Sequence, residues 1–284
     1  MFDSASQFSA PAKGGIGVPS YVRAHSEVRA QFNRVGHATR LADCYETGGL
    51  RLKLPNTDAV CEGVLINTAG GMTGGDTARI AVAAGAHTRL RITTQSAEKI
   101  YRAEEIAAAV DVDLDLGTDA RLTWMPQETI LFDGAALSRT LTVNMPECAT
   151  AMLFEMTVFG RVARNEQMGQ GAFRDRWRVR RGGKLVFAED SHLDGNMSET
   201  LAHPANGDGA RAVATFLLVA ADAEGRVNHA RELLRNAGSY CGASAWNRML
   251  VARFSARDPH DLRRDAAQFI SRLMRTKPPR VWAC

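Results

Sequence analysis

The sequence predicts a mainly β fold, built from many short strands, with two or so α-helices in its C-terminal third. Three observations carry this. Short runs of alternating polar and apolar residues recur along most of the chain, which is the period of half-buried strands. Gly, Asn, Asp and Pro punctuate these runs about every 8–12 residues, the turn spacing of all-β folds. Apolar stripes with helical period appear only late, from Val227 onward.

Residues 1–20 are small, polar and broken by Gly and Pro, and read as a disordered tail ahead of one β-rich domain over 21–284. Glu27 to Leu54 reads as two or three strands turning at Gly36 and Gly48-Gly49. Pro55-Asn56-Thr57-Asp58 is a turn, and Val64 to Ile66 a buried strand. Strands over Asp76–Ala83 and His87–Thr94 join at Gly85. From Val110 to Leu116 the alternation is strict, with Asp111, Asp113 and Asp115 on one face. A calcium loop starting at Asp111 would need Gly and Glu where Leu116 and Leu122 stand, so the Asp row is a solvated face. Arg121 to Phe132 is strand-like and interrupted at Pro126.

Leu137–Met145 and Thr150–Phe159 follow as strands. Along Phe173–Val179, Trp177 and Val179 point one way and Arg174, Arg176, Arg178 and Arg180 the other. Such an Arg face discourages edge pairing, with partner docking as the alternative. Gly182-Gly183 turns the chain into Leu185–Glu189. Val227–Ala237 stripes Ala230, Leu233, Leu234 and Ala237 and ends on Gly238, a favoured C′ residue. Arg248–Phe254 returns to strand character. The last helix has Asp258 as N-cap, Pro259 at its first position, a stripe of Leu262, Ala266, Phe269, Ile270 and Leu273, and Pro278-Pro279 as its stop.

Composition narrows the function. The chain has 284 residues, long enough for a sizeable core, and a net charge of +4. Lys occurs only at 13, 53, 99, 184 and 277, and 31 acidic residues offset the Arg, so no nucleic-acid stripe forms. A basic face for an acidic protein partner stays open. No secretory signal or membrane-length apolar run is present, and the five cysteines form no CxxC. The expectation is a cytoplasmic protein with free thiols and no membrane contact.

The stretch that most invites a site is Gly70-Gly71-Met72-Thr73-Gly74-Gly75-Asp76. Gly70-x-x-x-x-Gly75-Asp76-Thr77 has P-loop spacing, but Asp76 replaces the phosphate-binding Lys, and a strand pattern rather than a helix follows. A nucleotide-dependent enzyme or hydrolase is therefore the weaker reading. A tight turn, or a turn that holds Asp76 as a functional acid, are the others. No HExxH or GxSxG occurs, and the seven His are scattered, so no catalytic constellation is legible.

Taken together, several segments are similar to one family. They are the glycine loop, Thr93-Thr94-Gln95-Ser96-Ala97-Glu98-Lys99-Ile100-Tyr101-Arg102, Trp124-Met125-Pro126-Gln127-Glu128-Thr129-Ile130-Leu131-Phe132-Asp133-Gly134-Ala135, and Phe159-Gly160-Arg161. Gly242-Ala243-Ser244 leading to Leu250-Val251-Ala252-Arg253, and Pro279-Arg280-Val281-Trp282, complete the set from about Arg23 to Trp282. In this order they resemble the urease accessory protein UreD (UreH) family. The motif positions are Gly70, Gly71, Gly74, Gly75, Lys99, Tyr101, Arg102, Pro126, Gln127, Gly160 and Arg161. One departure is Ala163-Arg164-Asn165-Glu166, where the family often has Gly before the Glu.

The resemblance implies an elongated, β-helix-like stack of strands and a non-enzymatic role. It implies binding to apo-urease and, with UreF and the GTPase UreG, GTP-dependent delivery of nickel to the urease active site. No tightly bound cofactor is implied, only transient Ni2+ on an interior path. By local alignment the path candidates are Asp76, Glu98, Glu155 and Glu189; carboxylate oxygens suit a divalent ion in transit. The alternative is a pure protein–protein adaptor without a nickel path.

Overall fold

A computed structural model describes residues 23–56 and 60–283. The disordered-tail expectation for 1–20, and part of the turn at 55–58, lie outside the described residues. The first half of the chain forms β1 (His25–Val35), β2 (Ala38–Thr47), β3 (Leu50–Lys53), β4 (Cys61–Asn67), β5 (Thr77–Ala84), β6 (Arg89–Thr94), β7 (Glu98–Ile100), β8 (Ala108–Leu116), β9 (Arg121–Trp124), β10 (Thr129–Leu131) and β11 (Ala136–Met145). The second half adds β12 (Thr150–Phe159), β13 (Ala172–Arg181), β14 (Lys184–Asp194), α1 (Met197–Ala202), β15 (Ala212–Val219), α2 (Val227–Leu234), β16 (Tyr240–Trp246), β17 (Met249–Ala256) and α3 (Pro259–Met274).

These strands make two facing sheets. The first runs β14-β13-β11-β8-β5-β1-β2; the second runs β16-β17-β15-β12-β9-β6-β4-β3, with β7 and β10 pairing beside β12. From β4 to β13 the chain returns repeatedly from one sheet to the other, and neighbouring coil strands in each sheet are parallel. The result is a β-solenoid-like stack. The parallel register explains why strict alternation is so visible in the sequence. Each coil places the same parity inward, so Val28, Ile80, Val112, Leu141 and Trp177 align across the first sheet. All five are buried in the core between the sheets. The Asp111, Asp113 and Asp115 row faces out as expected, with Val112, Leu114 and Leu116 buried behind it.

A second core lies on the far side of the second sheet. There Phe269 of α3 meets Phe216 of β15 and Phe254 of β17 edge-on, at 5.2 and 5.6 Å between centroids. The stripe Leu262, Ala266, Phe269, Ile270 and Leu273 is the buried face of α3, and Asp258 caps its start by accepting from the His260 N–H. Burying each large apolar side chain here contributes about 1.5–3 kcal/mol.

Other boundaries differ from the sequence expectation. The helix α2 ends at Leu234, not beside Gly238. Gly238 instead leads into Ser239, whose N–H and hydroxyl donate to Asp265 at 2.9 and 3.0 Å. The helix α3 stops at Met274 because Arg275 turns left-handed, before the prolines are reached. The strand β15 escaped notice because its second half is buried throughout and does not alternate. The strand β16 was hidden by Gly and Ala, which carry little strand preference. Replacing Asp265 with Ala orphans the Ser239 donors at the α3–β16 joint. It is expected to cost about 1–3 kcal/mol, read as a lowered thermal midpoint with unchanged far-UV circular dichroism at low temperature.

Candidate functional site

The glycine loop is not a phosphate cradle. It continues into the strand β5, and its backbone is pinned to β7 and the residues just after it. The Met72 N–H donates to the Lys99 carbonyl and the Tyr101 N–H to the Met72 carbonyl, both at 2.7 Å. The Thr73 hydroxyl donates to the Arg102 carbonyl, and the Tyr101 hydroxyl to the Gly70 carbonyl. Gly71 has φ +150°, and a Cβ there would stand 2.4 Å from a Tyr101 ring carbon. Asp76 caps this loop. One carboxylate oxygen accepts from the Ala24 N–H at 2.9 Å and the other from the Thr73 N–H at 2.8 Å.

Two cavities lie beyond the loop. The smaller, ≈120 Å3, sits between the sheets and is lined from exposed Gly70, Ser96 and Lys99 inward to Trp124, Arg139 and Glu155. The larger, ≈590 Å3, is lined from Arg139, Glu155 and Thr157 past Asp175 and Glu189 to exposed His192 and Tyr240. Arg139 and Glu155 belong to both linings.

At that shared wall three charges meet. Arg139 of β11 donates to Asp175, its register neighbour on β13, through Nε at 3.0 Å and Nη2 at 2.7 Å. Its remaining donors reach the Thr129 and Thr157 hydroxyls at 3.2 and 3.4 Å. Glu155 of β12 faces it from the opposite sheet, with Oε1 accepting from the Trp124 indole at 2.8 Å. Its Oε2 lies 2.9 Å from Arg139 Nε but makes no hydrogen bond. Burial pushes the Glu155 carboxyl up to about 7, against the pull of Arg139 and with Asp175 adding to the rise. Arg139 is held in its charged form, the attraction of Asp175 and Glu155 outweighing its burial.

A polar row on the second sheet leads to this point. Glu98, Thr129 and Thr157 align across β7, β10 and β12. Glu98 accepts from both the Asn67 amide, at 3.0 and 3.1 Å, and the Lys99 N–H, and burial raises its carboxyl above the usual range. On the far side Glu189 forms a two-pronged pair with Arg253 at 2.6 and 2.8 Å.

Three of the four predicted acids, Glu98, Glu155 and Glu189, thus line the two cavities, and Asp76 lines neither. Among the motif positions, Gly70, Lys99, Pro126 and Gln127 line the smaller cavity. Gln127 also ties down the chain end. Its amide donates to the Gln95 and Val281 carbonyls, and its own carbonyl accepts from Arg263. The Trp282 indole donates to Thr93 at 3.1 Å, and Arg263 lies over the Trp282 ring. Arg102 pairs with Asp133, and Arg161 pairs with Glu166 while covering Phe132. Gly74 and Gly160 permit close backbone approaches around the same loops, and Gly75 leaves room for the Arg23 side chain.

The Arg face of β13 is largely occupied within the chain. Arg174 pairs with Asp190, Arg176 reaches Thr140, and Arg178 donates to the Trp177 and Glu189 carbonyls. Arg139 and Asp175 are the residues of this buried cluster that sequence reasoning missed. Their signal was parity: each is a charge at an inward position of an alternating strand, between Leu137 and Leu141 and between Phe173 and Trp177.

Among the described residues no group of three or more His, Cys, Asp or Glu could hold a metal ion, and no helix is long and apolar enough to cross a membrane. Fold and site together define a β-solenoid-like protein with two cavities that share a buried Arg–Glu pair in their walls. A sequence model of the family described as "UreD urease accessory protein" matches residues 24–283. A "Urease accessory protein UreD" from Azorhizobium caulinodans is 44% identical over 268 residues, 94% of this chain and 99% of that protein. Proteins of the same name from Beijerinckia indica and a Methylobacterium species are each 47% identical, over 85% and 87% of this chain and 90% of theirs. The chain belongs to the UreD family of urease accessory proteins.

Proposed function

We propose that this chain is a non-catalytic urease maturation scaffold. In this reading it binds apo-urease, joins UreF and the GTPase UreG, and carries nickel through its interior as cargo for the urease site. The observation that supports the path is the sharing of Arg139 and Glu155 by two cavities that bear Glu98 on one side and Glu189 on the other. Single carboxylates spaced along a route hold a divalent ion loosely enough to release it, unlike a closed site of three or four ligands. Asp76, with both oxygens on backbone amides, serves the route only by fixing the loop at its rim.

A pure adaptor is the second reading, and one observation favours it: the buried Arg139 guanidinium stands in the wall that the two cavities share, bonded to Asp175 and Thr129. Co-expression with UreF, UreG and urease tests both. The scaffold reading expects a co-purifying assembly, and failure to hold both UreF and urease would reject it. Replacing Glu189 with Leu is expected to lower nickel transfer to urease severalfold while the assembly still co-purifies. Unchanged transfer would remove Glu189 from the route and strengthen the adaptor reading.

A further inference from the structure

The two cavities meet at a cation that belongs to the chain itself. Any positive ion moving from Glu98 to Glu189 must pass the Arg139 guanidinium, whose charge repels it at contact distance in a poorly screened interior. Yet Arg139 is unevenly committed. It bonds Asp175 with two well-formed hydrogen bonds and the two threonines with longer ones, while Glu155 Oε2 stays without a hydrogen bond 2.9 Å away. Glu155 is 4% exposed, so this orphaned oxygen is hidden from bulk water. A buried carboxylate oxygen without a donor is rare and calls for a reason.

We propose that Arg139 is a gate on the interior route: the guanidinium swings with Asp175 towards the larger cavity, and a divalent cation takes its place at Glu155. This rests on the nickel-path reading above. The larger cavity offers the space for the swing, and Asp175 on its lining keeps the guanidinium paired throughout. Glu155 keeps its Trp124 hydrogen bond and offers Oε2 to the ion. No covalent bond changes; one cation replaces another. The threonine rungs at 129 and 157 lose a donor as Arg139 leaves, and their hydroxyls can then turn their lone pairs to the passing ion. The closed gate keeps the route from leaking cations when no partner drives them through.

The test uses the co-purified assembly with UreF and UreG, with added Ni2+ as the probe. Trp124 donates directly to Glu155, so nickel arriving there should quench Trp124 fluorescence, isolated by subtracting the signal of a Trp124→Phe assembly. In Arg139→Gln, quenching is expected at about tenfold lower nickel concentration than in the parent, because the repelling charge is gone. Arg139→Lys, which keeps the charge but not the forked reach, guards against a Gln variant that fails to fold and should fall between. Glu155→Gln should abolish the Trp124 quenching. Equal quenching midpoints in the parent and in the Arg139 variants that fold would overturn the gate. If Glu189→Leu still lowers nickel transfer in that case, the path stands without a gate. If no variant shows Trp124 quenching, path and gate fall together.

Discussion

Replacing Arg139 with Met is expected to destabilise the fold by about 3–5 kcal/mol, the cost of leaving buried charge without its partner. Glu155 and Asp175 would then face each other across the interior with no cation between them. Urea unfolding at pH 8 measures the loss. The double variant Arg139→Met with Glu155→Gln should regain part of it, because an amide still accepts from Trp124 and carries no charge. The pH dependence has a fixed sign. Burial already raises Glu155 to about 7 in the parent, and Arg139 is what holds it from rising further. A carboxyl whose folded pKa is raised favours the folded state fully below its unfolded value and loses that contribution as pH rises through the folded value. The deficit of Arg139→Met should therefore be largest at alkaline pH, shrink as pH falls towards about 7, and level off below it. A deficit that does not change between pH 8 and pH 5.5 would mean that the triad is not charged as described.

The second large effect belongs to the glycine loop. Gly71→Val is expected to cost about 3 kcal/mol or more, from overpacking and backbone strain together. The new Cβ would sit 2.4 Å from Tyr101 Cε2 and 2.8 Å from the Lys99 carbonyl, at φ +150°. Gly74 is as tight, with the Ile106 carbonyl at 2.5 Å. Gly70 is the control within the same loop: its φ is +76° but nothing lies within 4 Å. Gly70→Asn should therefore cost less than about 1 kcal/mol, since Asn tolerates the left-handed region. Thermal unfolding of the two variants reads the contrast. Equal losses at 70 and 71 would show that flexibility, not close approach, is what the loop demands.

Much of the fold was legible because parallel coils repeat inward parity. The rows through Ile80, Val112 and Leu141 are visible as alternation in each strand separately. Where both strand faces are buried, as in β15, alternation vanishes and the strand went unread. Helix ends were less legible, because Arg275 ends α3 with a backbone torsion that its side chain does not announce. At the site, the family resemblance supplied Glu98, Glu155 and Glu189, which do line the cavities. It also supplied Asp76, whose two oxygens accept from backbone amides and which lines neither cavity. The partner of Glu155 could not be read from local sequence. Arg139 and Asp175 come together only because β11 and β13 are register neighbours facing β12, a relation between coils.

The tie between Gln127 and Val281, and between Thr93 and Trp282, bears on time as well as space. A ribosome delivers the coils in order, and each can settle on the one before it. The ties to the rim at Thr93 and Gln127 close only when Val281 and Trp282 emerge, more than a hundred positions after the strands they secure. A nascent chain that has not yet delivered residues 281 and 282 therefore carries an unlatched inner chamber.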